Sequence, residues 1–309
     1  MISILKDLSH SDEHSLVRVA KGYIEPQDFR VGGELRPEQS ERVINMIVED
    51  KFLSRVTVER MSRNDKDVEV FDIKPRQLKR VPEGREPTEQ ELSGVKEHGC
   101  ILHAKPVNLF VNIKLTTLRN NADKPGLVTM LNQSFNTVFQ NDLTDLGFVG
   151  KGEDGSDFEN LHKGWLKIAE ESSDAPKVEI QPSSVSWIDK LAAIKKASDK
   201  LYRPTSVFIM SPNDIMEYDV QLGKMITGAP IIADEAGHRF LRQPTVASNY
   251  MPDGHVLYTP IKNLILGVNK LIRRSGQWHA MRRCFEFVYD MSVDYEIYIK
   301  KACVLATPS

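Results

Sequence analysis

The sequence predicts an α+β fold in which a compact body carries a long hairpin. Three patterns support this prediction: a strand of strictly alternating apolar residues at 105–116, a long amphipathic helix at about 124–146, and a series of short helices and strands at 186–275. Alternation of apolar and polar residues is typical of a half-buried strand, and a continuous apolar stripe at helical spacing indicates a helix. No internal repeat is evident.

The hairpin is predicted from an unusual segment between residues 60 and 99. This segment carries 9 basic and 9 acidic residues together with three prolines. Strands are predicted before it at 52–59, in its first part at 68–73, and after it at 105–116. A charged, proline-bearing excursion between strands indicates an arm that projects from the body.

The remaining elements are predicted from apolar spacing and end signals. Residues 1–51 are expected to form an extended arm followed by a short helix. Asp123 is the expected N-cap of the long helix, which would form the spine of the body. Ser211 and Pro212 are expected to begin a later helix, as N-cap and first helical residue. A final strand is predicted around 293–299, where apolar and polar residues alternate again.

Composition excludes several classes of protein. The net charge is −2, from 41 basic and 43 acidic residues, so a strongly basic DNA-condensing protein is not favoured. The three cysteines are too few for a disulfide framework and indicate a reducing compartment. The start of the chain lacks the features of a secretory signal, and no apolar run approaches the ~18 residues of a membrane helix.

Two short motifs are predicted to be structural. The spacing G-x-G-x-x-G at 150–155 follows a helix and contains acidic residues that would repel phosphate, so a turn is favoured over a nucleotide-binding loop. His98, Cys100 and His103 are metal-ligand types, but His103 points away from the other two on a strand, and no fourth ligand is nearby. A zinc site is therefore not expected.

No catalytic constellation is visible. The chain has no nucleophile elbow, and no cysteine lies in a C-x-x-C motif. The acidic residues at 290–296 are interpreted as a solvated strand face rather than an acid/base pair. The sequence therefore predicts no enzyme activity, no catalytic or metal-binding residue and no cofactor.

A basic cluster inside the hairpin is the predicted contact site. Its members are Lys74, Arg76, Lys79, Arg80 and Arg85. Nucleic-acid binding would favour interleaved aromatic residues for stacking, and Phe71 is the only aromatic residue in the arm. Acidic partners on a neighbouring subunit are the preferred interpretation.

The order of these elements resembles the major capsid proteins of tailed bacteriophages, which have the Hong Kong 97-type shell fold. The resemblance covers about residues 35–306 and is similar in detail to the branch from temperate, contractile-tailed coliphages. The stretches that carry it are 52–56, 147–150, 160–166, 207–212, 244–248 and 289–295.

The resemblance implies a domain organisation. It assigns an N-terminal arm and short helix to 1–51, an extended hairpin loop with flanking strands to 52–116, a peripheral domain with the spine helix to 117–185, an inserted α/β axial domain to 186–275, and a peripheral return strand to 276–309.

The resemblance also implies a function in the virion. Pentamers and hexamers of the subunit would close into an icosahedral shell around double-stranded DNA, which is held by non-specific proximity. The shell would assemble in the bacterial cytoplasm, with a scaffolding protein, a portal and a decoration protein as partners, and without a membrane. In the prototype a hairpin lysine is cross-linked to an asparagine in the late strands. Here the last asparagine is Asn269, before those strands, so non-covalent locking is expected.

Two alternatives remain open at this stage. A shell with non-phage cargo, such as a gene-transfer agent or an encapsulin-like particle, would have the same sequence features. A nucleotide- or metabolite-binding α/β enzyme built on 186–275 is the alternative from another class, although no phosphate loop is visible there.

Overall fold

The computed structural model describes residues 32–34, 43–45, 52–73, 84, 86, 88, 95–120, 127–153, 157–180, 186–224 and 239–308. Within these ranges the chain forms two six-stranded sheets and one two-stranded ribbon. None of the helices in these ranges is both long and apolar enough to cross a membrane.

The strands are β1 (Gly32–Glu34), β2 (Thr57–Met61), β3 (Asp65–Ile73), β4 (Val95–His103), β5 (Lys105–Lys114), β6 (Lys177–Ile180), β7 (Val207–Met210), β8 (Arg239–Phe240), β9 (Gln243–Ala247), β10 (Val256–Thr259), β11 (Leu264–Asn269), β12 (Arg273–His279), β13 (Cys284–Ile297) and β14 (Val304–Pro308). The helices are α1 (Leu115–Asn120), α2 (Leu127–Val149), α3 (Trp165–Glu171), α4 (Trp187–Ala197) and α5 (Pro212–Gly223).

The first sheet forms the body and is organised around β13. Its strand order is β1-β12-β13-β11-β2. Strand β13 also pairs with β5, along residues 284–293. The spine helix α2 packs on this sheet, with the Phe135 ring 5.6 Å from Tyr289 and 6.1 Å from Phe287. The predicted spine helix is confirmed, and so is the alternating strand that precedes α1.

The hairpin is built differently from the prediction. Strand β3 pairs with β4, from Asp65 opposite His103 to Ile73 opposite Val95. Strand β5, predicted to return from the hairpin, instead belongs to the body sheet. The prediction missed β4 because the segment is rich in charge. A two-stranded ribbon tolerates such a sequence because backbone pairing needs no particular side chains and only one face needs apolar residues.

The root of the hairpin packs on the body. A small apolar core joins the ribbon to the body, and its members are Met61, Val68, Cys100, Leu102, Ala104 and Ile265. Between Cys100 and Leu102, on the other face of the ribbon, Ile101 is 53% exposed. The predicted contact residues between 74 and 85 lie outside the described residues.

The second sheet has the order β6-β14-β10-β7-β9-β8. Helices α4 and α5 cover one face, where Trp187, Leu191 and Phe208 form a separate core. Side chains on the other face, such as Ile209 and Leu257, join the core of the body sheet. Ser211 caps α5 by accepting a hydrogen bond from the backbone N–H of Asp214 at 3.2 Å, so this predicted helix start is confirmed.

The chain passes between the two sheets at places other than the predicted boundaries. Residues 264–275 were assigned to the inserted α/β unit, yet β11 and the start of β12 lie in the body sheet. Residues 276–309 were assigned to the body, yet β14 lies in the second sheet. The reason is that β14 fits between β6 and β10, where Val304 and Ala306 complete the apolar core under α4.

Candidate functional site at the hairpin root

A buried histidine–aspartate pair lies where the hairpin meets the body. The side chains of His162 and Asp294 are 7% and 8% exposed, and His162 Nε2 lies 3.2 Å from Asp294 Oδ1. The direction of this contact does not fit a hydrogen bond, and Nε2 has no other partner among the described residues. The two side chains are therefore in close polar contact without a hydrogen bond between them.

The Asp294 carboxylate also accepts two backbone hydrogen bonds. The N–H of His103, at the end of β4, donates to Oδ2 at 2.5 Å, and the N–H of Tyr295 donates to Oδ1 at 2.7 Å. His103 Nδ1 lies 2.7 Å from Oδ1 of Asp65, its partner in the ribbon pair nearest the body. One carboxylate thus connects the hairpin, the loop before α3 and the central strand of the body.

A glycine allows the hairpin to approach this carboxylate. Gly267 on β11 is the register partner of Asp294. A Cβ atom at Gly267 would lie 3.0 Å from Met61 Sδ and 3.2 Å from Leu102 Cδ1, closer than ordinary packing. Glycine in a strand often marks such a close approach.

Aromatic residues pack against the His162–Asp294 pair. The Tyr295 hydroxyl donates to the Leu143 carbonyl of the spine helix at 2.7 Å. The Trp165 indole N–H donates to the Ile265 carbonyl at 2.9 Å. The Tyr295 ring lies edge-on to Trp165 at 5.2 Å and to His162 at 5.8 Å. The junction is therefore rigidly supported.

The glycines after the spine helix set the position of His162. The N–H of Gly164 donates to the Gly150 carbonyl at 2.9 Å, and a Cβ atom at Gly164 would lie 2.6 Å from the Gly147 carbonyl oxygen. Gly150 therefore lies where the backbone after the spine helix meets the backbone before α3, which agrees with the turn predicted there. The next described α-helix, α3, begins at Trp165, and Gly155 lies outside the described residues.

The chemistry of the junction is structural. Burial raises the pKa of the Cys100 and Cys303 thiols to about 12, so both are protonated near neutral pH. Among the described residues, no group of three metal-ligating side chains comes together. His103 is exposed whereas Cys100 is buried, which agrees with the predicted opposite faces.

The interpretation of residues 290–296 as a solvated strand face is wrong at Asp294. Burial alternates along most of β13, but Val293, Asp294 and Tyr295 are all buried. The alternation fails because the end of β4 and the loop at His162 cover the face that would otherwise meet solvent. No local signal in the sequence marks His162 as the partner, because the pair joins residues far apart in the chain.

Burial raises the pKa of the Asp294 carboxyl, while the His103 N–H and the positive charge on His162 act in the opposite direction. The folded state consequently holds this proton more tightly than the unfolded state. We expect the free energy of unfolding to fall as pH rises from about 4, the ordinary pKa of the group, through its raised value. Urea denaturation of the subunit and of Asp294→Asn across this range tests the effect. The difference between the two proteins should decrease with pH, and a flat or rising difference would contradict the assignment.

Solved structures with a similar fold include chains of phage and particle shells. A chain of the satellite phage P4 procapsid, which includes the size determination (Sid) protein, superposes with a TM-score of 0.73 at 18% identity, covering 88% of this chain and 91% of that chain. The chain has the Hong Kong 97-type capsid fold. This agrees with the predicted α+β capsid fold.

Two further structures show how widely this capsid fold is shared. A chain of the capsid of a native GTA particle matches with a TM-score of 0.57 at 14% identity, covering 91% of this chain and 93% of that chain. A chain of the virus-like particle from Pyrococcus furiosus matches with a TM-score of 0.54 at 9% identity, covering 87% and 98% respectively. No protein-family model matches the chain, and no curated protein matches it in sequence.

Proposed function

We propose that this protein is a major capsid protein that assembles into pentamers and hexamers of an icosahedral shell around double-stranded DNA. The observation that carries the proposal is the extent of the fold match. It covers 88% of this chain and 91% of a chain from a phage procapsid, so the match includes both sheets and the spine helix and is not limited to one of them. The shell would form in the bacterial cytoplasm and become the virion capsid.

The body sheet with α2 would be the peripheral domain, and the second sheet with α4 and α5 the axial domain at the centre of a capsomer. The proposed phage branch is that of temperate, contractile-tailed coliphages. It is supported by the TM-score of 0.73 with the P4 procapsid, against 0.57 for the GTA capsid.

The hairpin would reach across a neighbouring subunit. Its root is fixed by the Asp294 junction, whereas Ile101 on the ribbon is 53% exposed in the isolated subunit. Exposed apolar and charged surface on a long ribbon is stabilised when another subunit covers it. The proposed contact residues on the hairpin are Lys74, Arg76, Lys79, Arg80 and Arg85, with acidic side chains of the neighbour as their partners.

Assembly would require other proteins. The P4 procapsid includes a size determination protein, and this supports the view that a shell of the same fold is built with an assembly partner. A scaffolding protein, a portal and a decoration protein are the proposed partners.

Electron microscopy of the purified protein, expressed with its scaffolding protein, tests the proposal. We expect closed particles that sediment far ahead of the subunit, because weak contacts repeated over a closed assembly add up. The nucleic-acid content of particles made during infection separates a phage capsid from a shell with other cargo. A monodisperse monomer that a small ligand stabilises against heat would instead favour the enzyme alternative.

The same particles should be locked without covalent bonds. The late strands β12, β13 and β14 contain no asparagine, since the last one in the chain is Asn269. We expect denaturing gels of mature particles to contain a single band near 35 kDa. A ladder of multimers would contradict this expectation.

A further inference from the structure

The second sheet carries a basic patch that lies apart from the hairpin. We define the basic patch as Lys195, Arg203 and Arg242 with two leucines, Leu201 and Leu241. Lys195 Nζ, near the end of α4, donates to the Leu241 carbonyl at 2.8 Å and so joins the helix to the turn between β8 and β9. The leucine side chains are 60% and 58% exposed.

The two arginines of the basic patch act unfavourably on the charge of Lys195. Burial, together with the positive charges of Arg203 and Arg242, lowers the pKa of Lys195. Arg203 donates to the Ser198 carbonyl at 2.8 Å, which orients the guanidinium but leaves its charge uncompensated. Among the residues that the structure describes, these three cations make no ion pair. Such a patch is complementary to an anionic partner.

The turn between β8 and β9 has an unfavourable backbone conformation. Leu241 and Arg242 have φ angles of 46° and 70°, where residues other than glycine, asparagine and aspartate are uncommon. The left-handed conformation costs roughly 1–2 kcal/mol for each such residue. A two-residue hairpin turn ordinarily uses Asn-Gly. The chain therefore keeps an exposed leucine and an arginine at a position where they are locally disfavoured, which is typical of a functional surface.

The outer face of the spine helix provides a matching surface. We define the acidic stripe as Val138, Asp142 and Asp145, which lie four and three residues apart on α2 and therefore share one face. Val138 is 43% exposed. Burial raises the pKa of both carboxyls, and that of Asp145 is raised further by Asp142 and Glu159. Within the described ranges, neither aspartate has a cation partner.

We propose that the basic patch of one subunit docks on the acidic stripe of a neighbouring copy. This inference rests on the proposed function, because it assigns one of the contacts between subunits of the shell. The basic patch combines two exposed leucines with positive charge, and the acidic stripe combines one exposed valine with negative charge. The leucines favour a protein partner over nucleic acid, whose backbone offers phosphates but no apolar surface.

The geometry of such a contact suits a ring. The basic patch and the acidic stripe are different surfaces of one chain, so the contact is heterologous. A heterologous contact repeated by rotation closes into a ring, as a pentamer or hexamer requires. Pairing also removes the like-charge repulsion that each surface carries in the isolated subunit.

Charge reversal on each surface tests the inference. We expect Arg242→Glu and Asp142→Lys each to lower the yield of closed particles by about tenfold or more, because like charges then face each other across every contact. Arg242→Glu/Asp142→Lys in one chain restores opposite charges and should recover most of the yield. Lys177→Glu, at the opposite edge of the second sheet, is the matched control and should assemble normally.

The variants test the inference, whereas particle formation by the unmodified protein tests the proposed function. If the unmodified protein forms particles and Arg242→Glu assembles equally well, the basic patch is not an interface. If both single variants fail and the double variant also fails, the acidic stripe is not its partner. Thermal melting of the Arg242→Glu subunit should be unchanged, and a large loss would mean that the cation is neutralised within its own chain. Normal assembly of Arg242→Glu with reduced DNA content would identify nucleic acid as the partner and overturn the inference.

Discussion

Replacement of residues 74–94 by a short Gly-Ser link is expected to give a folded subunit that forms no shells. The replaced segment lies beyond the last pair of the ribbon, Ile73 with Val95, so the root and its small apolar core remain intact. The five basic residues proposed to contact the neighbour are removed with it. Circular dichroism should report an unchanged melting transition, and sedimentation should report only subunits or small oligomers.

The structure determines where this deletion must end. A wider deletion, of 62–96, would follow from the charge pattern of the sequence. It would remove Val68, which is buried in the core at the hairpin root, and leave Met61 and Leu102 uncovered. Such a variant would be destabilised, and its failure to assemble would be ambiguous.

Substitution of the five basic residues by glutamine keeps the length of the arm and serves as the companion variant. If charge carries the contact, the glutamine variant should assemble poorly, like the deletion. Normal particles from the deletion itself would refute the role given to the hairpin.

Asp294→Ala is expected to lower the free energy of unfolding of the subunit by about 3–5 kcal/mol. The substitution leaves the N–H groups of His103 and Tyr295 buried without acceptors, and it removes the anion beside His162. Each unsatisfied buried donor costs roughly 1–3 kcal/mol. Urea denaturation of the subunit at neutral pH measures the loss.

A conservative variant and a control variant are compared with Asp294→Ala in the same measurement. Asp294→Asn keeps one acceptor oxygen and should lose less stability than the alanine variant. Asp67→Ala removes an exposed carboxylate from the same hairpin and should stay within about 0.5 kcal/mol of the unmodified subunit. A loss of less than about 1 kcal/mol for Asp294→Ala would show that the junction does not hold the hairpin root.

Several elements could be predicted from the sequence because their signals are local. The spine helix was expected at about 124–146 and lies at 127–149, since its apolar stripe depends only on residues within a few turns. Ser211 and Pro212 identified the start of α5 for the same reason. The strong alternation of β5 identified a half-buried strand, although it did not reveal which strand would pair with it.

The features that could not be predicted from the sequence depend on contacts between residues far apart in the chain. Strand β4 forms because β3 offers it a paired edge, and charged side chains do not oppose that pairing. Strand β14 belongs to the second sheet because it pairs there with β6 on one side and with β10 on the other. Neither placement is encoded in the local pattern of its own residues.

By itself, the sequence determined the spine helix, the half-buried strand β5, the start of α5 and a capsid-like arrangement that the order of elements resembles. The tertiary structure alone decided that Asp294 is buried, because its burial requires β4 and the loop at His162 to cover it. It also decided that Lys195, Arg203 and Arg242 form one patch, since they come from a helix, a loop and a strand turn. Hydrophobic periodicity reports the environment of a residue along one element, whereas charge pairing depends on which elements meet in space.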